Sequence, residues 1–553
     1  MLALFGDNAR YMILGKSISL GSGFRLINYP ENPPDYKAYP GFPLILSIFY
    51  FILGSKFIEA NILIVSKIVV FTCFILSVLF FYLVAKKDLD RLTLLLATIF
   101  FMTHPELLSF SSKVMTETVY NLFLLITLYL FSLTEKKINK DSNYNINIGD
   151  HNTDINDRGS SENKNNNSNK KKKKNIYKIS DIIGEYLRDK KFILLIFFSI
   201  FTFLIRPIGL FIILAIFIQI FLSENRIRSG IYFVFTLVPV ILWNLRVVIS
   251  NKVSYVSEFF KVNLSDYSEG NIDFIKLFER AKSNFDYYFK AVFSQLTNGL
   301  KDILRRNIFI IKNLNFFEVL KIKDLHFIAI LVVIIFTILG IIYFLKRRKY
   351  IYVLYFIFYF VGLLMWPWQS VRLTICIIPI LIILFSSGVM FFKEIILKIS
   401  TKKIIKIFAS TVLILTFIIF LVGSIYGGYL VINKSLDYKN NKKFIYGKSW
   451  ENFYDAMYWL KENSYDGSSI LSRSNFLVYI LTGRETIAFP YSDDEQKQKK
   501  YLNKSDFIIQ DKTNERFMKY VYPIIEKYEE NFEIVYKAED DKTIVYKRLK
   551  KLD

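Results

Sequence analysis

A series of hydrophobic stretches separated by charged loops decides what this chain can fold into. The stretches lie at roughly 61–85, 92–110, 114–134, 190–205, 207–223, 229–249, 326–345, 350–366, 372–391 and 404–430. A helix needs about 20 apolar residues to cross a hydrocarbon core of about 30 Å, and these stretches are near that length. Residues are 53% hydrophobic and the mean hydropathy is +0.32, which is too apolar for an ordinary soluble domain. The expected fold class is therefore a polytopic α-helical membrane protein. Leu44 to Leu53 is too short to cross and reads as a juxtamembrane helix on the outer surface.

The loops orient the spans. Lys86-Lys87, the segment 135–190, Arg226 to Arg228, Arg347-Arg348-Lys349 and Lys398 to Lys403 fall in alternate loops. Basic loops face the cytoplasm by the positive-inside rule, which puts Asp7, the loop 250–325 and the tail 431–553 outside. This distribution also accounts for much of the net charge of +24 without a nucleic-acid surface. Phe192 to Leu222 is one stretch interrupted by Arg206-Pro207. As one kinked span it would reverse everything downstream. As two short spans with a tight outer turn it keeps the charge pattern consistent and holds Arg206 out of the bilayer centre, where a charge is costly. Cys73 and Cys376 both lie in spans, and with 3 histidines in the chain neither a disulfide framework nor a cysteine- or histidine-rich metal site is expected.

The chain divides into five parts. Residues 1–60 form a first outer segment with juxtamembrane helices, and 61–135 carry spans. Residues 136–189 are a low-complexity Asn/Lys-rich cytoplasmic insert expected to be disordered. Residues 190–430 carry further spans around the large outer loop. Residues 431–553 read as an extracytoplasmic α/β domain. There, Trp450 to Glu462 and Arg516 to Lys527 read as helices. Ser469 to Ser472 and Phe507 to Gln510 read as buried strands. Phe532 to Lys537 and Thr543 to Lys547 read as a hairpin. That domain has no glycine-rich phosphate loop and no acid–histidine pair, so support or acceptor recognition suits it better than catalysis.

This topology gathers polar residues at one membrane face: Asp7 and Arg10, then His104, Glu106 and Glu117, then Arg206, then Trp366, Trp368, Gln369 and Arg372. Each alone has an ordinary explanation as an interfacial charge, an aromatic-belt tryptophan or a turn histidine before Pro105. Their convergence is what raises the prospect of chemistry.

The pattern Gly6-Asp7-Asn8-Ala9-Arg10-Tyr11, Leu20-Gly21-Ser22-Gly23-Phe24 and Tyr39-Pro40-Gly41-Phe42-Pro43 resembles the first outer loop of GT-C glycosyltransferases. Relatives include protein O-mannosyltransferases and the aminoarabinose transferases that modify lipid A. Val114-Met115-Thr116-Glu117 resembles the second acidic motif of that superfamily. Arg206-Pro207 falls where relatives carry a basic residue near the lipid phosphate. Trp366-Pro367-Trp368-Gln369-Ser370-Val371-Arg372, with Pro379 downstream, resembles its late outer loop. Trp459-Leu460-Lys461-Glu462-Asn463 and Thr482-Gly483-Arg484 resemble the outer tail of bacterial members. The likeness covers nearly the whole chain except 136–178. It also implies a span ahead of the acidic loop, whereas Asp7 here follows Met1 by six residues, and it departs at Lys37-Ala38-Tyr39, where some relatives carry an acid.

The resemblance implies a polyprenyl-phosphate-linked sugar as donor, a lipid, glycan or protein acceptor, and an inverting transfer on the extracytoplasmic face of a bacterial cytoplasmic membrane. It implies Asp7 as general base, with Glu117 positioning the acceptor or a metal. Arg206 and Arg372 would bind the donor phosphate, and Arg10, Tyr11, Tyr39, His104, Trp368 and Gln369 would bind substrate. A divalent metal ion, where one is used, would take Asp7 and Glu117. Membrane lipids are expected as partners and nucleic acid is not. A nucleotide-sugar enzyme would need an Asp-x-Asp motif on a soluble domain. Asp88-Leu89-Asp90 lies instead in a very short cytoplasmic loop and reads as helix-end acids. A polysaccharide ligase or polymerase would share the large outer loop and outer arginines. A transporter would place its charges nearer the midplane.

Overall fold

The computed structural model describes residues 6–141, 184, 186–223, 226–250, 255–262, 270–306, 322–399, 402–440, 447–539 and 541–552. The insert read at 136–189 lies for the most part outside the described residues, although its first residues continue a helix to Asp141. The membrane part runs α1 Gly6–Ser19, α2 Gly41–Leu53, α3 Ser55–Ala85, α4 Arg91–Thr103, α5 Pro105–Ser111, α6 Thr116–Asp141, α7 Lys190–Ile205, α8 Leu210–Leu222 and α9 Arg226–Ile249. It continues through α10 Phe274–Ser294, α11 Asn298–Arg306, α12 Ile322–Lys346, α13 Ile351–Leu364, α14 Ile378–Ile399 and α15 Lys403–Asn440. Each hydrophobic stretch of the sequence is helical. Among the described residues six helices are long and apolar enough to cross a membrane, or seven if α4 and α5, bent by 50°, count together. The bend falls at His104-Pro105, where a proline removes an N–H from the helical ladder. Shorter apolar helices lie at Gly41–Leu53, Pro207–Leu222 and Ile351–Leu364. The protein is a polytopic helical membrane protein carrying a small α/β domain.

Contacts between helix ends fix the up-and-down order. Asp189 before α7 lies 3.9 Å from Arg228 at the start of α9. Gln219 near the end of α8 bonds the Arg348 carbonyl at 3.0 Å and accepts from Ile351 N at 3.1 Å. Thus α7 and α8 return on each other at Arg206-Pro207, as two short antiparallel helices. Asp88 ion-pairs with Lys349, and Arg347 reaches Glu394 at 3.8 Å. The basic ends of α3, α12 and α14 therefore meet opposite the end that holds Asp7. The same contacts account for Asp88-Leu89-Asp90: Asp90 caps α4 by accepting from Leu92 N and Thr93 N, and Asp88 is a buried pairing partner.

The central helix is α14, buried from Ile378 to Met390. It approaches α12 so closely that a Cβ on Gly340 would lie 1.9 Å from Leu384 O, and one on Gly388 would lie 1.7 Å from Phe336 O. Small residues permit this backbone contact, a packing mode suited to lipid, where burial of apolar surface drives little.

After α15 the chain forms α16 Lys448–Asn463, β1 Ser469–Leu471, α17 Asn475–Thr482, β2 Glu485–Ile487, β3 Phe507–Asp511, β4 Phe532–Lys537 and β5 Thr543–Arg548. The sheet order is β2-β1-β3-β5-β4. β1 pairs in parallel with β2 and β3, whereas β3–β5 and β4–β5 are antiparallel. The expected helix at Arg516 to Lys527 is two pieces, Glu515–Tyr520 and Tyr522–Lys527, divided at Val521 ahead of Pro523. Helix α17 and strand β2 had no clear periodic signal of their own.

This domain docks on the segment between α1 and α2. Asn28 Nδ2 donates to Thr486 Oγ1 at 3.0 Å, Thr486 N to Asn28 O at 2.7 Å, and Asn475 Nδ2 to the Tyr29 hydroxyl at 2.5 Å. It therefore sits at the Asp7 end of the bundle.

Candidate catalytic site

Four charged side chains from distant parts of the chain meet at this end. Asp7 lies in the first turn of α1 and Glu117 in the first turn of α6. Arg206 stands at the break between α7 and α8, and Arg372 in the 3₁₀ turn Val371–Ile377 ahead of α14. The break has a local cause. Arg206 is extended (φ −149°, ψ 138°), the conformation a residue before proline prefers. Gly209 then lets the chain fold back, because a Cβ there would lie 2.6 Å from the Phe203 backbone.

Arg206 Nη1 lies 2.7 Å from Glu117 Oε1 and donates to Thr116 Oγ1 at 3.1 Å. Arg372 Nε donates to the same Glu117 oxygen, and Arg372 Nη1 reaches Asp7 Oδ2 at 3.2 Å. The Glu117 side chain is 0% exposed, while Asp7 is 44% exposed and Arg372 32%. A buried carboxylate is tolerated only when paired, and here it is held between two guanidinium groups. The result is a graded arrangement with a sealed acid at the base, two cations above it and a second acid at the rim.

A cavity of about 490 Å³ opens beside this quartet. Its polar end is formed by Asp7, Tyr11, Tyr39, Thr116, Arg206 and Arg372. Its other end is apolar and runs between α8 (Phe211, Leu214) and α13 (Phe358, Val361, Gly362). Tyr11 is fixed edge-on to Phe42 at 5.4 Å and Tyr39 edge-on to Phe203 at 5.4 Å.

Helix α10 shapes this cavity from the segment between α9 and α12. Asn284 Nδ2 donates to Leu364 O at 2.9 Å and Trp366 O at 2.8 Å. The Tyr288 hydroxyl donates to Trp368 O at 3.0 Å and accepts from Ser370 N at 3.2 Å. Gln295 Nε2 donates to Thr374 Oγ1 at 2.6 Å. Asn284 and Tyr288, one turn apart on α10, thus hold the backbone ahead of Arg372, and Gln295 just past the helix holds the Thr374 side chain after it.

The structure divides the residues singled out from the sequence. Asp7, Glu117, Arg206 and Arg372 come together, and Tyr11, Tyr39 and Trp368 line the cavity. Arg10 does not line it. It makes a bidentate ion pair with Asp35, donating from Nε to Oδ2 at 2.5 Å and from Nη2 to Oδ1 at 2.7 Å. Asp35 also accepts from the backbone N–H groups of Lys37 and Ala38, so the pair sets the course of the chain into Tyr39. Gln369 bonds Asn284 Oδ1 at 3.2 Å rather than lining the cavity. His104 is fully buried away from it, its Nε2 3.2 Å from Gln295 O. Reasoning from sequence passed over Thr116, Phe259, Tyr288 and Tyr359. Thr116 adjoins Glu117 and could have been found by proximity; Tyr288 gave no signal in a long polar loop.

Among the described residues no group of three or more His, Cys, Asp or Glu side chains is placed to hold a metal ion. The two acids that could contribute are already engaged by Arg372, and Glu117 by Arg206 as well. This donor set suits an anion better than a cation.

Comparison with known proteins gives distant likeness only. No protein-family model matches the chain, and no curated protein matches it. Among solved structures it is similar to the oligosaccharyltransferase of Archaeoglobus fulgidus in the apo form, at 14% identity and a TM-score of 0.46, over 92% of this chain and 66% of that one. It is also similar to ArnT from Cupriavidus metallidurans bound to undecaprenyl phosphate, at 8% identity and a TM-score of 0.44, over 98% of this chain and 93% of that one. The chain thus spans just under two thirds of the length of the oligosaccharyltransferase.

Proposed function

We propose that this chain is a GT-C-type membrane glycosyltransferase that moves a sugar from a polyprenyl-phosphate-linked donor to a hydroxylated acceptor at the extracytoplasmic face. The carrying observation is the cavity itself, with two arginines and an exposed acid at one end and an apolar slot between α8 and α13 at the other. A lipid-phosphate sugar has the same two halves. Its phosphate suits the guanidinium groups and its isoprenoid chain suits the slot, which is lined by apolar residues of α8 and α13.

The chemistry follows from the residues. The acceptor hydroxyl attacks the anomeric carbon as the bond from that carbon to the phosphate oxygen breaks. The bonding pair leaves with the polyprenyl phosphate, the acceptor proton passes to Asp7, and configuration inverts. A phosphate ester is already a good leaving group, so a general base matters more than a general acid and contributes roughly 10²–10⁴-fold. Each guanidinium carries five N–H donors, more than the bonds to Glu117, Thr116 and Asp7 use. The remaining donors stabilise charge arriving on the phosphate. Because Arg372 touches Asp7, the proton gained by Asp7 and the negative charge gained by the phosphate develop on either side of one cation. Glu117 touches neither reactant in this scheme; it orients both arginines. These steps draw on the four charged side chains alone; a divalent ion, where one is used, would be held by Asp7 together with the donor phosphate.

The placement outside rests on the basic residues at the opposite end of the bundle. The test is transfer of labelled sugar from a polyprenyl-phosphate donor by purified protein in proteoliposomes. Wild type transfers, and Asp7→Asn, inserted and folded normally, loses at least 100-fold. Equal transfer by Asp7→Asn defeats the assignment.

A further inference from the structure

The C-terminal domain carries a second crevice, and its position follows from the sheet order. In β2-β1-β3-β5-β4 the chain leaves β1 toward β2 on one side and leaves β3 toward β4 on the other. Two adjacent parallel strands whose following loops diverge leave a gap at their carboxyl ends, the place where open α/β sheets bind ligands. That gap is present here. An open crevice of about 470 Å³ is lined by Arg473 and Ser474 after β1, Tyr491 after β2, Thr513 to Arg516 after β3, and Trp450 of α16.

We propose that this crevice binds a saccharide unit of the acceptor. Its walls combine two aromatic rings, Trp450 and Tyr491, with hydroxyl, amide, carboxylate and guanidinium groups. Aromatic rings offer an apolar face to the C–H side of a pyranose, and the polar groups can donate to and accept from ring hydroxyls. Tyr491 is 59% exposed and is held by Arg516 over its ring at 4.5 Å and by Tyr520 stacked at 6.1 Å. Arg473 is anchored at 2.5 Å to the buried Asp511 at the end of β3 and lies over Trp450 at 4.9 Å. Its Nε, sealed from solvent, meets no acceptor among the described residues. An unmet buried donor is unfavourable, and an ordinary structural pair would avoid it.

The crevice is also tied to Asp7. Ser474 on its wall is followed by Asn475, which bonds Tyr29, and by Phe476, whose ring lies 5.6 Å below the Arg10 guanidinium. Arg10 is one helical turn from Asp7 on α1. An acceptor held in the crevice would be fixed relative to the helix that presents the base.

This inference rests on the glycosyltransferase reading, but binding tests it without turnover. Full-length protein in nanodiscs is titrated with a set of free neutral and acidic trisaccharides and, separately, with inorganic phosphate. Wild type and Asp7→Asn are expected to bind at least one trisaccharide equally, and Tyr491→Ala and Arg516→Ala to weaken it at least tenfold. Both substituted residues are exposed, and unchanged melting temperatures confirm that the variants fold. Binding that the two crevice substitutions leave unchanged, no trisaccharide binding, or a response to phosphate alone each overturns the proposal. Failure of Asp7→Asn to impair transfer, with crevice binding intact, would instead count against the catalytic reading.

Discussion

Arg206 and Arg372 share one oxygen of Glu117, although the three residues come from three separate helix ends. Glu117 is fully buried, so removing its charge leaves two guanidinium groups facing each other in a low-dielectric site. Breaking a buried pair by removing one partner costs about 3–5 kcal/mol. Glu117→Gln is therefore expected to lower the melting temperature of the purified protein and to abolish transfer. Glu117→Asp, which keeps the charge on a shorter arm, should recover stability more than activity. A variant as stable as wild type would show that the cations do not need this acid.

Arg372 bridges the buried acid and Asp7. Arg372→Ala should raise the KM for the lipid-linked donor at least tenfold and change that for the acceptor little. Steady-state kinetics with each substrate varied separately distinguishes the two. An effect confined to the acceptor would place Arg372 on the wrong substrate.

Tyr288 holds the backbone at Trp368 and Ser370 with one hydroxyl. Tyr288→Phe keeps the buried ring and removes both hydrogen bonds, each worth about 0.5–1.5 kcal/mol. It should reduce kcat more than it changes melting temperature, because the loop that carries Arg372 loosens while the core stays packed. Proportional loss of stability and activity would mean Tyr288 is only a packing residue.

Gly362 lines the apolar slot against Phe211, and a Cβ added there would lie 2.4 Å from the ring. Gly362→Val should narrow the slot. Donors with a long isoprenoid chain are expected to lose at least tenfold in kcat/KM, and a short-chain donor analogue much less. Equal loss for both chain lengths would remove the slot as the lipid path.

Much of the architecture was legible because it depends on near neighbours in sequence. Apolar stretches form helices wherever they occur, and basic loops in alternation order them. Arg206-Pro207 broke its stretch for a reason any pre-proline residue shares, and the return of α8 along α7 followed. His104 and Gln369 were drawn into the expected site because each lies beside a true member of that membrane face. Their side chains turn to Gln295 and Asn284 instead, and nothing in the adjoining residues sets that rotation. The α10 buttress was illegible for the same reason, since Tyr288 and its partner Trp368 stand 80 positions apart in the chain.

The sequence by itself determined that this chain spans a membrane many times, that Asp7 and the basic loops lie at opposite ends, and that an α/β domain follows the last span. Those properties are set by hydropathy and charge, which act locally. The tertiary structure alone decided that Glu117 sits beneath both arginines, that Asp35 rather than the cavity takes Arg10, and that Asn28 meets Thr486 across 458 positions. Such pairings depend on how each helix is rotated about its axis and how closely it packs. The packing of many buried side chains at once fixes both, and no single segment does.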